Sequence, residues 1–303
     1  MIEILGFIRP SLAFNMAEFS ATLIKMRTDP ELGSRKKNIG FLFSVVTVTL
    51  NNLDGLLKTE VSLKQQNYRN YQWIVVDGAS TDGTVEYLKA KPSDNSICWL
   101  SEPDGGIYHA MNKGMKFVKG QFALFLNAGD AFASSNVLQR ISKTLQGLNY
   151  SPALIYGDSW EVNENEDLFY KRARHQRWVY YGMFTYHQSM FFNVEDLDDG
   201  YDVNFQIAGD YALVARLFKK ERKFIHLDYV VCKFQRGGLS YRLANKALDE
   251  EWLIRRDILK VNVSILYLIQ FIKILVGRVR SGAPLFYDYI RYKHKRLSGE
   301  KNL

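Results

Sequence analysis

The sequence predicts an α/β fold: a mixed, mostly parallel sheet flanked by helices, with a helical C-terminal extension. Three observations carry this expectation. Short apolar runs alternate with segments of helical apolar spacing, the pattern of βαβ units. The runs are near-continuous in apolar character, as in Phe122-Ala-Leu-Phe-Leu126, which suits strands buried on both faces. Their ends lead into polar turns that carry Asp77, Asp104 and Asp130, and ligands of open α/β sheets collect beyond the carboxyl ends of strands.

The elements follow in order. Residues 1–39 read as an N-terminal extension, with helical spacing over Ser11–Met26, a break at Thr28-Asp-Pro30 and a basic run at Arg35-Lys36-Lys37; no chemistry is assigned to it. Phe41–Thr49 is an apolar, β-branched strand meeting Asn51-Asn52, and Leu53–Gln66 continues as a helix. Trp73–Asp77 is a second strand, Gly78–Gly83 a polar turn and Thr84–Lys89 a short helix. Ile97–Leu100 is a third strand, followed by Glu102-Pro-Asp-Gly-Gly106 and a helix over Ile107–Phe117. Phe122–Leu126 then runs into Asn127-Ala-Gly-Asp130, with a helix expected from near Ser134.

Beyond Gly147 the pattern is mixed. Ala153–Tyr156 reads as a strand ended by Gly157-Asp158, and Tyr186–Phe192 as another. Between them, 169–181 is rich in arginine and aromatic residues. Gln206–Tyr211 opens a helix to Lys219, Phe224–Phe234 is a strand, and Gln235–Ser240 is a glycine-rich loop. The main domain is expected over 40–242, and 243–303 as a basic, amphipathic helical segment.

A chain of 303 residues can bury a full-sized core. Its 47% hydrophobic and 24% charged content suits a soluble globular protein. A net charge of +8 invites an acidic partner, whether nucleic acid, an anionic membrane surface or a nucleotide. No recognition-helix or stacking-platform motif supports nucleic acid. Cys98 and Cys232 match no metal spacing and suit a reducing compartment. No signal peptide is evident, and the most apolar stretch, Val261–Val276, is interrupted by Asn262, Ser264, Gln270 and Lys273. A cytoplasmic protein is therefore expected, with Tyr267–Val279 and Phe286–Arg296 lying at the inner membrane face. The other reading of these helices is packing against the main domain or against a second copy in a homodimer.

Acids gathered at one sheet edge repel one another unless donors or a cation lie between them. Ribose hydroxyls and a base N–H can donate to them, and a divalent metal can bridge one to diphosphate oxygens. The plainer reading is that each Asp shapes a turn or caps a helix.

The ordered motifs Ser44–Asn51, Val75-Val-Asp-Gly-Ala-Ser-Thr-Asp-Gly-Thr84, Ser101-Glu-Pro-Asp-Gly-Gly-Ile-Tyr108, Ala110-Met-Asn-Lys-Gly114 and Leu124–Asp130 resemble glycosyltransferase family 2. These are inverting enzymes with the Rossmann-like GT-A fold, and the resemblance is greatest to the bacterial capsule, colanic-acid-type exopolysaccharide and O-antigen branch. It implies nucleotide-sugar contacts at Thr49, Asn51, Asp77, Asp104, Asn112, Lys113, Asn127 and Asp130. It also implies Mn²⁺ or Mg²⁺ on Asp130, a catalytic base at Asp210, and His187 and Gln188 on the acceptor side. Lys113 and Arg236 are candidate electrostatic helpers, and Trp178, Tyr180 and Tyr181 candidate platforms for an acceptor sugar. Four positions depart from the pattern. Asn127 replaces the first acid of the Asp-x-Asp motif, Gly209 replaces an acid beside the base, and His109 stands where relatives carry Asp. The loop Arg236–Ser240 lacks the histidine that serves many members as a metal ligand. The implied activity is transfer from a nucleotide-sugar, a UDP-sugar foremost, to a lipid-linked or oligosaccharide acceptor of a surface polysaccharide. The alternative is a non-catalytic nucleotide-sugar-binding or partner-binding subunit.

Overall fold

The strand β1 (Phe41–Thr49) takes the middle of the sheet because both of its faces are apolar: Val45 and Phe43 point to one side, Val46 and Val48 to the other. The computed structural model describes residues 40–91, 96–197, 199–236, 243–283, 286–287 and 295–296. The helix expected over Ser11–Met26, the loop 237–240 and most of the helix expected over Phe286–Arg296 lie outside these residues.

Parallel to β1 run β2 (Tyr71–Asp77) on one side and β4 (Gly120–Phe125) on the other, with β3 (Ile97–Ser101) beyond β2. The helices α1 (Leu53–Lys64), α2 (Thr84–Lys89) and α3 (Ile107–Met115) connect them, as parallel strands require. Beyond β4 the sheet turns antiparallel through β8 (Met190–Asn193), β6 (Leu154–Val162), β7 (Leu168–Lys171) and β10 (Lys295–Arg296). The long β9 (Phe224–Gln235) runs parallel to β6 and also pairs with β5 (Ala131–Phe132). Packed on this sheet are α4 (Val137–Gln146), α5 (Gly209–Lys219) and α6 (Ala244–Leu253) with its π-helical turn Ile254–Ile258, followed by α7 (Val263–Gly282). Two apolar clusters form the core, one holding Val46, Ile74 and Phe125, the other Val45, Val75 and Leu124. Neighbouring residues of each strand thus serve opposite faces.

Three expectations are corrected. Tyr186–Phe192 is not one strand: His187–Ser189 forms a 3-10 turn and β8 starts at Met190. Gly157-Asp158 does not end β6 but marks a register shift against β9. A Cβ at Gly157 would lie 2.7 Å from Val231 Cγ2 and 2.8 Å from the Tyr229 carbonyl, so only glycine lets β9 come this close. Lys295–Arg296 forms an edge strand rather than helix.

Gly157→Ala is expected to push β9 away from β6 and destabilise the fold by about 1–3 kcal/mol. A lower urea midpoint at unchanged slope would report it; an unchanged midpoint would refute the close-packing argument.

Candidate active site

Three strand ends build one side of the site, although fewer of their side chains face outward than the sequence suggests. Asp77 ends β2 fully buried. Its carboxylate accepts from the Ser80 amide (3.0 Å), the Ser80 hydroxyl and the Ser101 hydroxyl (2.6 Å). It therefore shapes the turn 78–83. Ser80 Oγ accepts in turn from the Asn51 amide (2.7 Å), and Asn51 Oδ1 from the Thr81 amide (2.8 Å). Asn51 sits at φ 49, a left-handed conformation that asparagine tolerates better than most residues. Asp82 joins the turn to α1 and α2, accepting from the Leu53 amide (2.8 Å) and the Thr84 hydroxyl (2.6 Å).

Asp104 lies half-buried on the rim. Its Oδ1 accepts from the Gly106 amide (2.9 Å), and its Oδ2 lies against Gly78. His109 accepts on Nδ1 from the Gly105 amide (2.8 Å) and so closes the same loop. Two expected nucleotide contacts are used internally. Lys113 Nζ donates to the Pro103 carbonyl (2.7 Å) and pairs with Glu102 (2.8 Å). Asn112 binds both the amide and the carbonyl of Tyr201 (2.8 and 2.7 Å). Arg236 pairs with Glu161 (2.8 Å) and covers the Phe169 ring rather than standing free. Trp178 and Tyr180 are exposed, and Tyr181 is half-buried with Lys273 Nζ over its ring.

Asp130 closes the turn after β4, where its amide donates to the Asn127 carbonyl (3.0 Å). It is 4% exposed. Its Oδ1 accepts from the Gln235 amide at the end of β9 (3.1 Å), and its Oδ2 from Gln188 Nε2 (3.0 Å). Burial pushes its carboxyl up to about 6, against the pull of these donors and of His187.

Asp210 lies across the site in the first turn of α5, with its side chain 23% exposed. Tyr108 donates from its hydroxyl to the Ile207 carbonyl (2.6 Å) and to Asp210 Oδ1 (3.3 Å). His187 Nδ1 lies 3.5 Å from Asp210 Oδ2. The turn 187–189 thus joins the two acids, His187 touching Asp210 and Gln188 touching Asp130. A Cβ on Gly209 would sit 2.7 Å from the Tyr108 ring, so this chain has no room for an acid beside Asp210. Sequence reasoning missed Tyr108 and the Gln235 amide, whose partners lie about a hundred residues away.

Several buried polar atoms near these elements have no hydrogen-bond partner: Thr49 Oγ1, Asn127 Oδ1, His187 Nε2 and Gln188 Oε1. Buried polar atoms are normally paired, so such orphans need an explanation. No group of three or more His, Cys, Asp and Glu suited to a metal occurs among the described residues. A Mg²⁺-type ion that arrives with a diphosphate needs only one or two carboxylates, phosphate and water completing its shell. Asp130, with lone pairs left on both oxygens, and the orphaned Asn127 Oδ1 in the same turn fit that smaller demand.

The raised Asp130 carboxyl sets a pH dependence. Between about pH 4 and 6 the folded form keeps a proton that the unfolded chain has released, so stability falls as pH rises through this window and levels off above it. The effect is about 3 kcal/mol. Asp130→Asn is expected to remove this slope, with Gln188 flipped so that its Oε1 accepts from the new amide. Thermal melts across the window in chelator would check it; an unchanged slope in the variant would be the contrary result.

Known proteins resemble this chain in sequence and in fold. The family model described as Glycosyl transferase family 2 matches residues 44–208, more than half of the chain. An uncharacterised glycosyltransferase of Mycobacterium tuberculosis is 32% identical over 205 residues, covering 65% of this chain and 76% of its own length. A PGL/p-HBAD biosynthesis glycosyltransferase of the same species is 25% identical over 229 residues, covering 71% and 83%. Among solved structures, S. aureus TarS 1-349 in complex with UDP superimposes with a TM-score of 0.56 at 14% identity, over 83% of this chain and 75% of that one. The mannosyltransferase PcManGT of Pyrobaculum calidifontis, in complex with GDP-Man and Mn²⁺, gives 0.57 at 13% identity, over 91% and 85%. The fold is GT-A, and the chain belongs to glycosyltransferase family 2.

Proposed function

We propose that this glycosyltransferase inverts the anomeric configuration of the sugar it transfers, using Asp210 as the base, and takes that sugar from a nucleoside-diphosphate donor, a UDP-sugar foremost. The observation that carries this reading is the two-residue link between Asp130 and Asp210 through Gln188 and His187. One acid faces the strand-end turns where donors of open α/β sheets bind. The other is partly exposed and lies within reach of a histidine and a tyrosine. In the reaction Asp210 takes the proton of an acceptor hydroxyl as that oxygen bonds to the anomeric carbon, and the bond to the diphosphate breaks. His187 and Tyr108 hold the carboxylate in orientation. Thr49, Asn51, Asp104 and Asn127 border the donor side. Mn²⁺ or Mg²⁺ held by Asp130 and Asn127 would offset the charge that grows on the leaving diphosphate. The UDP in the TarS structure and the GDP-Man in PcManGT support a nucleotide-sugar donor.

The acceptor in this reading is a lipid-linked substrate of a surface polysaccharide, worked on at a membrane surface, and the C-terminal helix α7 supports it. Among the described residues no helix is long and apolar enough to cross a membrane. Yet α7 buries only Leu266 and Ile269 and leaves Leu268, Phe271, Leu275 and Val279 exposed along its other side. Residues 261–303 hold eight lysines and arginines against two acids. Apolar exposure beside cationic charge favours an anionic lipid interface.

Two measurements test this. UDP with Mn²⁺ should raise the melting temperature; saturation at about a hundred times the dissociation constant adds roughly 2.7 kcal/mol. Asp210→Asn should keep that shift while turnover falls by about 10²–10⁴. Nucleotide binding without turnover in the unaltered protein would favour a non-catalytic subunit. Separately, Phe271→Glu combined with Leu275→Glu should abolish sedimentation with phosphatidylglycerol vesicles. Sedimentation equal to that of the unaltered protein would remove α7 from the membrane reading.

A further inference from the structure

Glu250 lies on α6, well past the matched residues 44–208, and is 6% exposed. Its carboxylate accepts three successive backbone amides: Gln206 (2.9 Å), Ile207 (2.9 Å) and Ala208 (2.8 Å). The next residues are Gly209 and Asp210. The Ile207 backbone is held on both of its polar groups, its amide by Glu250 and its carbonyl by the Tyr108 hydroxyl that also reaches Asp210. A second grip follows one turn later, where Arg255 is fully buried and donates from Nη1 to the Tyr181 carbonyl (2.9 Å) and to Glu251 (3.1 Å). The loop it grips also receives the Tyr211 hydroxyl on the Val179 carbonyl (2.5 Å). The C-terminal segment therefore holds the loops on either side of the residues that start α5.

We infer that Glu250 is a positioning residue for the transfer reaction, an anion that fixes the approach 206–208 and so sets where the Asp210 carboxylate points. This rests on the reading of Asp210 as the base. A carboxylate that accepts three amides is a strong, directional anchor, and Glu250 is the anchor these amides use. Gln in its place keeps the shape but loses the charge and turns an amide donor toward backbone donors. The loop then shifts, and small misplacements of a catalytic group cost up to about 10²-fold in rate.

The test uses the full chain, with nucleotide release from UDP-glucose, UDP-N-acetylglucosamine and GDP-mannose as the activity and the UDP melting shift as the binding readout. Glu250→Gln should lower kcat at least tenfold while the donor KM and the UDP shift stay close to those of the unaltered protein. Glu250→Asp, which keeps the charge on a shorter arm, should recover part of the rate, and it carries the test should Glu250→Gln fail to fold. Asp249→Asn, on the exposed side of the same helix, is the charge control and should turn over normally. Full kcat in Glu250→Gln overturns the inference. So does a parallel loss of kcat and UDP binding in both Glu250 variants, which would mark a purely structural residue. If the unaltered protein releases nucleotide from no donor, the enzymatic reading fails first and the inference falls with it.

Discussion

A carboxylate taken out of water must be met by donors, and in this fold the donors that meet it come from distant parts of the chain. Asp130 draws on Gln188 and on the end of β9. Asp77 draws on Ser80 and Ser101, and Asp158 on the Ala173 amide and the Tyr170 hydroxyl. Glu250 takes three amides ahead of α5. Leaving any of these acids unpaired would cost more than the bonds themselves contribute, so each acid obliges two or more loops to meet. The arrangement of the loops around the site follows from this obligation.

The strand–helix alternation and the short helix α2 were legible because local pattern decides them: apolar runs buried on both faces, and a Gly83 turn before Thr84. Motif order singled out Asp130 and Asp210 as candidate acids, and the structure links the two through the turn 187–189. What spacing does not show is which polar residues near a strand end are also held by distant parts of the chain. Asn112 clamps the backbone of Tyr201, 89 residues on, and Lys113 holds the loop at Pro103; no spacing rule foresees such partners. Tyr186–Phe192 reads as a strand, but His187–Ser189 forms a 3-10 turn and the ladder begins only at Met190.

The C-terminal region shows the same limit. Its helical character and its apolar and basic composition were visible. Its inward side was not, because Glu250 and Arg255 look like surface charges until the loops they hold are known.

The turn 187–189 has one more consequence. Its two working side chains stem from adjacent residues, whose Cα atoms are about 3.8 Å apart across one peptide bond. The two acids they touch are therefore linked through one peptide unit and the reach of one histidine and one glutamine side chain. An insertion between His187 and Gln188 would pull apart two contacts that now start from neighbouring residues, one on Asp210 and one on Asp130.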